Sequence, residues 1–226
     1  MRVLDAEHCP TPATLISDHV ALPETRPSDR AFVRLNMVAS ADGGSAVSGL
    51  SGGLGNRVDH DVFNALRAHA DVVIVGLSTA IAEHYHPPTT PNLRMYVIAS
   101  GPDISGNPAL FDSDRVTLVL PDNAAPAPDG VSELRAGGGG RVDLRLVVDG
   151  LVGKVVMTEG GPRLAGTLIA LGLVDEFFLT VAPRVISGDS ARVVHGAEAD
   201  AEMWALRHGF VDDEGFLFLC YARNTS

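Results

Sequence analysis

The sequence has few cysteines, no long apolar run and fewer basic than acidic residues. Only Cys9 and Cys220 occur in 226 residues, which excludes a disulfide framework and a four-cysteine metal site and fits a reducing cytoplasm. Lys and Arg number 17 against 28 Asp and Glu, so the net charge of −11 disfavours nucleic acid and anionic lipid as partners. The longest uncharged apolar run, 72–82, is shorter than the ~20 residues that cross a bilayer. The composition predicts a cytoplasmic protein that binds neither nucleic acid nor membrane.

Several catalytic motifs are also missing. Neither G-x-G-x-x-G after a strand nor G-x-x-x-x-G-K-[ST] is present, so the dinucleotide fingerprint and the P-loop are both absent. The zinc-deaminase pattern of H-x-E with C-x-x-C is absent as well. His84 and His86 have no third candidate ligand nearby in the sequence, which predicts a surface loop and no metal site. The run 49–53 (GLSGG) resembles a serine-nucleophile loop, but an ordinary loop is favoured because no His and Asp partners can be assigned to it.

Short apolar runs alternate with helical patterns along the chain. Val72 to Val75 is too short and too β-branched for a helix and predicts a strand buried on both faces. Ala31 to Ala39 predicts a strand with one mostly apolar face. This alternation favours an α/β fold with a mixed, mostly parallel sheet flanked by helices. Strands are predicted at 31–39, 72–75, 95–99, 116–120, 154–158 and 177–182, with an antiparallel hairpin at 205–211 and 216–221.

Helical spacing and prolines complete the organisation. Asn56 is placed to cap a helix that carries Val62 and Leu66 on one face. Further helices are predicted over 142–149 and from Pro162 to Gly172. Four prolines make residues 1–30 an N-terminal arm with a short helical turn around 14–21. Residues 31–226 are then expected to form a single domain.

The first candidate site follows the strand at 31–39. Six of the 24 glycines lie between Ser40 and Gly55, so this loop can bring the backbone close to a ligand. Asp42 is the predicted carboxylate there, because ligands of α/β sheets gather beyond the carboxyl ends of strands. An ordinary turn aspartate before Gly43 is the alternative, and Ser40 has the same two interpretations.

The second candidate site is Glu159-Gly160-Gly161-Pro162, again between a strand and a helix. Paired glycines expose backbone N–H groups, and the helix dipole favours a phosphate. Glu159 would repel a phosphate unless it faces another ligand group. A glutamate that ends a strand before a tight turn is the alternative.

The third candidate site is Val75 to Thr79, where a glycine and two hydroxyls follow a buried strand. Phosphate or ribose oxygens could bind there, although helix capping explains the pattern equally well. Arg57 and Arg67 lie on the helix that follows the glycine-rich loop, and either could hold a substrate phosphate. A solvated surface arginine is the alternative for both.

Four segments in matching order carry a family resemblance: 36–44, 51–80, 158–168 and 179–188. Together they resemble the reductase domain of riboflavin biosynthesis, a pyrimidine-reductase family with a dihydrofolate-reductase-like fold. The resemblance implies NADPH as the cofactor, which carries the hydride chemistry. It further implies that 5-amino-6-(5-phosphoribosylamino)uracil is reduced by hydride transfer to the ribosyl C1′, giving a ribityl group. A homodimer is also implied, with the C-terminal hairpin or an apolar edge such as 216–221 as its seam.

The resemblance also suggests roles for individual residues. Asp42 and Glu159 match acidic positions beside substrate and nicotinamide, where one of them relays a proton. Asn36 stands where bifunctional members carry Lys, and Arg94 is a candidate replacement for an arginine that the family has after Thr79. The predicted substrate contacts are Asn36, Ser40, Arg57 and Arg67. The predicted cofactor contacts are Gly76, Ser78, Thr79, Ser100, Gly160, Gly161 and Pro162.

Two alternative functions stay open on the sequence. A dihydrofolate-reductase-like enzyme could use Asp42 or Glu159 to hydrogen-bond a pterin, which shares an edge with an aminopyrimidine. A non-catalytic nucleotide-binding protein of the same fold is the second alternative, since Asn36 and the segment 80–94 depart from the family pattern.

Overall fold

The computed structural model describes residues 12–198 and 201–224, so residues 1–11 of the predicted arm and the end of the predicted domain, 225–226, lie outside it. The elements are α1 (Pro12–Val20), β1 (Phe32–Ser40), α2 (Arg57–Ala68), β2 (Val72–Gly76), α3 (Leu77–Ala82), β3 (Arg94–Ile98), a 3-10 helix (Pro108–Phe111), β4 (Val116–Leu120), β5 (Glu133–Arg135), α4 (Leu144–Asp149), β6 (Val155–Thr158), α5 (Pro162–Ala170), β7 (Glu176–Ala182), β8 (Trp204–Val211) and β9 (Leu217–Arg223).

Within the described ranges, nine strands form one sheet in the order β5-β4-β3-β2-β6-β1-β7-β9-β8. All neighbours from β5 to β7 pair in parallel, whereas β9 runs antiparallel to β7 and β8 antiparallel to β9. The predicted α/β class, mixed sheet and C-terminal hairpin are confirmed. Because β1, β2, β3 and β6 are parallel, their carboxyl ends meet at one edge, where α/β proteins place their ligands.

Side chains of the central strands alternate between two apolar layers. In β2, Val73 and Val75 face the layer that contains α2, while Val72 and Ile74 face the layer that contains α4 and α5. Burial on both faces explains why a run of β-branched residues forms a strand here and confirms the buried-strand prediction.

The first strand differs from its prediction. The sequence predicts one mostly apolar face, but the structure buries both faces of β1, including Arg34. Arg34 Nε lies 2.8 Å from Glu176 Oε2, and Arg207 contacts the other oxygen of Glu176. A buried charge requires such partners, and the partners come from β7 and β8, far along the chain.

Several boundaries also differ. The helix predicted from Val142 begins at Leu144, because the Asp143 side chain accepts hydrogen bonds from Arg145 N and Leu146 N and so caps it. The helix predicted to end at Gly172 ends at Ala170, and Lys154 lies outside β6. The predicted turn at 14–21 is α1, whose Val20 joins the core. The three-residue strand β5 is not predicted, since three residues are too few to show periodicity.

Candidate functional site

Two adjoining cavities open at the carboxyl edge of the parallel strands. The α2 cavity, of about 610 Å³, is lined by one face of α2, part of β1, the glycine-rich loop and the segment after α3. The α4–α5 cavity, of about 900 Å³, is lined by the starts of α3, α4 and α5 and by the end of β3. Ser78, Thr79, Gly161 and Pro162 line both cavities, so the two cavities lie side by side.

Glu159 and Arg67 meet in the α2 cavity. Arg67 Nε lies 2.6 Å from Glu159 Oε1 and Arg67 Nη2 lies 2.8 Å from Oε2, which is a bidentate ion pair. The guanidinium carbon of Arg67 is 4.4 Å from the ring centre of Phe63 and 5.7 Å from that of Tyr85. Burial, together with the charge of Glu159, raises the pKa of Tyr85 well above its usual value, so its hydroxyl stays protonated beside Glu159. Both predicted residues therefore lie in one cavity, with the two carboxylate oxygens of Glu159 oriented by Arg67.

Asp42 and Ser40 lie elsewhere. Asp42 Oδ1 accepts hydrogen bonds from Ser40 Oγ at 2.5 Å and Ile186 N at 3.2 Å, and Oδ2 accepts one from Ser187 N at 2.8 Å. These bonds, that of Ser40 first, lower the pKa of Asp42 to about 2. Neither Ser40 nor Asp42 lines either cavity. Asp42 therefore shares neither cavity with Glu159, and its surroundings are those of a carboxylate that ties two loops together.

Of the other residues suggested by the sequence for the substrate, some line a cavity and others do not. Asn36 lines the α2 cavity from β1. The Arg57 side chain is 91% exposed, lies 3.7 Å from Asp61 and lines neither cavity. Arg94 is exposed at the start of β3, at the opposite end of that strand from the cavities. The structure therefore does not support the suggestion that Arg94 takes the role of the arginine that the family has after Thr79.

The twin-glycine turn packs closely against its neighbours. A Cβ on Gly160, whose φ is +87°, would lie 2.8 Å from Met37 Sδ, and a Cβ on Gly161 would lie 2.5 Å from Thr79 Oγ1. Gly76 N donates a hydrogen bond to Gly160 O at 3.0 Å. Glycine is therefore required where the starts of α3 and α5 approach each other, and a ligand can contact the backbone there.

The α4–α5 cavity carries groups that suit phosphate oxygens. Of the predicted cofactor residues, Gly76 and Ser100 line it, and Ser78, Thr79, Gly161 and Pro162 line both cavities, whereas Gly160 lies buried just beneath. Arg141 and Arg163 also line it, and within residues 12–198 and 201–224 their guanidinium groups form no hydrogen bond or ion pair. Free cations beside a helix start suit phosphate oxygens. Residues 12–198 and 201–224 include no group of three or more His, Cys, Asp or Glu placed to hold a metal ion.

Asp59 is the site residue that the sequence reasoning missed. It lies in the first turn of α2, where its N–H donates to Asn56 Oδ1 at 3.0 Å, and its half-buried carboxyl lines the α2 cavity. Burial raises its pKa, while a hydrogen bond with the Thr180 side chain opposes that rise. Asp59, Phe63 and Arg67 are spaced by four residues, which puts them on one helix face. This four-residue spacing is the feature of the sequence that could have identified Asp59 as a neighbour of Arg67.

Comparison of the sequence with known families and proteins gives consistent matches. The family model described as the RibD C-terminal domain matches residues 31–218. A 2,5-diamino-6-ribosylamino-4(3H)-pyrimidinone 5′-phosphate reductase from Methanothermobacter thermautotrophicus is 28% identical over 195 residues, which cover 77% of this chain and 88% of the relative. The reductase of the same name from Archaeoglobus fulgidus is 29% identical over 193 residues, which cover 74% of this chain and 87% of the relative.

Solved structures share the fold. A pyrimidine reductase-like protein from Corynebacterium diphtheriae superposes with a TM-score of 0.74 at 21% identity, covering 91% of this chain and 96% of the other. Dihydrofolate reductase from Enterococcus faecalis, complexed with NADP(H), superposes with a TM-score of 0.56 at 16% identity, covering 86% of this chain and 97% of the other. The predicted dihydrofolate-reductase-like fold is confirmed. No helix within the described ranges is long and apolar enough to cross a membrane.

Proposed function

Because the chain belongs to the RibD C-terminal domain family, we propose that it is a reductase of riboflavin biosynthesis that uses NADPH to reduce a ribosylaminopyrimidine 5′-phosphate. The named relatives from Methanothermobacter and Archaeoglobus support the reaction class. Their names also suggest a diaminopyrimidinone as substrate beside the aminouracil that the resemblance implies.

One observation carries the proposal: the two cavities lie side by side, with Ser78, Thr79, Gly161 and Pro162 lining both. A reductase must hold a dinucleotide and a substrate in contact, because hydride transfer requires the reacting atoms to be about 3–3.5 Å apart. The α4–α5 cavity offers free arginines and glycine backbone for phosphates, and the α2 cavity offers polar groups for a heterocycle. The shared residues are where the two ligands would meet.

Within the α2 cavity, Glu159 recognises the pyrimidine. Its two oxygens are oriented by Arg67, and they keep lone pairs that can accept N–H groups of an aminopyrimidine. Asn36 lines the same cavity and can donate to or accept from the substrate. Reduced nicotinamide, when bound, supplies the hydride for the ribosyl C1′.

Incubation with NADPH and candidate substrates tests this function. Purified protein is mixed with NADPH and with the diamino-ribosylaminopyrimidinone phosphate, its aminouracil counterpart or dihydrofolate, and the nicotinamide absorbance is followed. We expect oxidation with at least one ribosylaminopyrimidine phosphate and formation of its ribityl product. Oxidation with dihydrofolate alone would contradict the proposal, and tight NADPH binding without any oxidation would favour a non-catalytic protein.

The proposal includes a cytoplasmic homodimer. The composition supports the compartment, and the C-terminal hairpin supports the seam because its outer strand β8 lies at an edge of the sheet and exposes Leu206. Light scattering that gives the mass of one chain would contradict the dimer and leave the reductase proposal standing.

A further inference from the structure

Among the residues that the structure describes, three carboxylates line the α2 cavity, and they differ in their partners. Glu159 is neutralised by Arg67 in a bidentate pair. Glu83 Oε1 accepts the N–H of Ser51 at 2.6 Å. Asp59 has neither a paired cation nor a backbone N–H among the described residues, and its carboxyl is hydrogen-bonded to the Thr180 side chain.

The proposed reaction, on which this inference rests, requires a proton as well as a hydride. The ribosyl C1′ gains a hydride from the reduced nicotinamide, which becomes oxidised. The bond between C1′ and the ring oxygen breaks, and its electron pair goes to that oxygen. The ring oxygen then takes one proton to become the 4′-hydroxyl of the ribityl group. A protonated carboxyl that lines the α2 cavity can supply this proton.

We propose that Asp59 is the catalytic residue that protonates the ribose ring oxygen as the C1′–oxygen bond breaks. Its position supports the role, since it lies on the same face of α2 as Phe63 and Arg67 and lines the cavity with them. After donating its proton, Asp59 regains one from solvent, so each turnover consumes one NADPH and one proton.

The electrostatic surroundings of Asp59 suit a proton donor. Burial raises its pKa, and the Thr180 hydrogen bond and the charge of His60 lower it by less. On α2 itself, Arg67 is engaged by Glu159. On the segment after α3, His84 and His86 also line the cavity. On the turn between β8 and β9, Asp212 and Glu214 accept hydrogen bonds from the Asn56 side chain, one turn before Asp59.

The other aspartate suggested by the sequence is unsuited to this step. Asp42 is exposed, lines neither cavity and has a pKa lowered to about 2 by its three hydrogen bonds, that of Ser40 first. At neutral pH it is ionised and has no proton to donate. The glycine at position 55 supports Asp59 further, because a Cβ there would lie 2.5 Å from Asp59 Oδ2. The loop therefore covers the carboxyl closely and limits its contact with water.

The Asp59→Asn variant tests the proposal against Asp61→Asn, a matched control whose side chain lies on the same helix outside the cavity. We expect Asp59→Asn to lower kcat on the order of 100-fold or more, the usual contribution of a positioned acid. NADPH affinity, measured by nicotinamide fluorescence, should be unchanged in both variants. Turnover within about threefold of the unchanged protein in Asp59→Asn would overturn the proposal.

A pH profile separates proton donation from a structural role. The rate should fall as pH rises through the pKa of Asp59, because only the protonated carboxyl can act. Thr180→Val removes the hydrogen bond that lowers this pKa, so the fall should move to higher pH, and carbon NMR of the Asp59 carboxyl in the ligand-free protein should move the same way. If Asp59→Asn fails to fold, an unmoved profile in Thr180→Val still overturns the proposal. An unchanged protein that oxidises no NADPH with any ribosylaminopyrimidine overturns the proposed function itself.

Discussion

Two buried arginine–glutamate pairs lie at opposite ends of the parallel strands. Arg34 pairs with Glu176 near the start of β1, and its guanidinium carbon lies 4.6 Å from the ring centre of Phe178. Arg67 pairs with Glu159 just beyond the end of β6, and its guanidinium carbon lies 4.4 Å from that of Phe63. Both pairs have the same chemistry, but α1 covers the first, whose Arg34 donates to Val20 O, while a cavity opens beside the second.

The difference teaches that position in the fold assigns the role of a buried ion pair. At the start of the strands, the pair anchors α1 to the sheet, and no ligand can reach it. At the carboxyl edge, strands end and helices begin, so loops diverge and leave space for a ligand. We therefore expect the first pair to stabilise the fold and the second to orient a ligand.

Arg34→Met should have the largest effect on stability. Removing one partner of a buried ion pair leaves Glu176 in the core with only Arg207, so the free energy of unfolding should fall by about 3–5 kcal/mol. Reductase activity per folded molecule should be unchanged, as measured by denaturant unfolding and assays at low temperature. Arg223→Met, which breaks the partly exposed pair with Glu202, is the control and should cost at most about 1 kcal/mol. Equal losses in the two variants would contradict the contrast between buried and partly exposed pairs.

Arg67→Met should have a large effect on activity and a smaller one on stability. Glu159 loses both N–H donors that orient it, and a displaced contact can lower kcat/KM about 100-fold. The measurement is steady-state kinetics with NADPH in excess, and the control is Arg34→Met in the same assay. If Arg67→Met stayed as active as Arg34→Met, the two pairs would not differ in role.

The free energy of unfolding should depend on pH through His19, which lies on α1 beside the Arg34 pair. Burial, and then the charges of His208 and Arg34, lower the pKa of His19 to about 4. The unfolded chain binds this proton near pH 6.5, so stability should be fully present above that pH and fall by up to about 3 kcal/mol as pH drops to 4. His19→Phe should abolish this part of the slope in urea unfolding between those pH values. His69→Gln, at an exposed position, should leave it intact.

Gly161→Ala should weaken cofactor binding by about tenfold. The added methyl group would push a bound cofactor away from the Gly161 backbone, and losing such a contact costs on the order of 1 kcal/mol. The added Cβ would lie 2.5 Å from Thr79 Oγ1, where both cavities meet. NADPH titration by fluorescence measures the effect. Gly138→Ala, which meets no atom within 4 Å, is the matched control. Unchanged affinity in Gly161→Ala would make the turn purely structural.

Arg57→Ala should have the smallest effect. Its side chain is 91% exposed and its pair with Asp61 spans one helical turn at 3.7 Å, so stability should change by less than about 0.5 kcal/mol. Arg57 was predicted from the sequence to bind substrate. A severalfold rise in the substrate KM would support that prediction, and an unchanged KM would leave Arg67 as the arginine that matters.

Much of the fold was predictable because its signals are local. The β-branched run at 72–75 and the Asn56 cap each depend on a few consecutive residues, and the structure confirms both. Burial of Arg34 was not predictable, because its partner Glu176 is 142 residues away. Asp42 and Asp59 show the same limit. Asp42 follows a strand and Asp59 lies in the first turn of a helix, and both positions are common for ligand-binding carboxylates. Only the arrangement of the loops puts Asp59 beside a cavity and Asp42 outside it.

The sequence by itself determined the α/β class, the position of the twin-glycine turn and the family, since these depend on periodicity and short motifs. The tertiary structure alone decided that Glu159 pairs with Arg67, 92 residues earlier, and that their cavity lies beside a second one lined by Arg141 and Arg163. The physical reason is that contacts between distant residues depend on the order in which strands join the sheet, and many orders are compatible with the same local pattern.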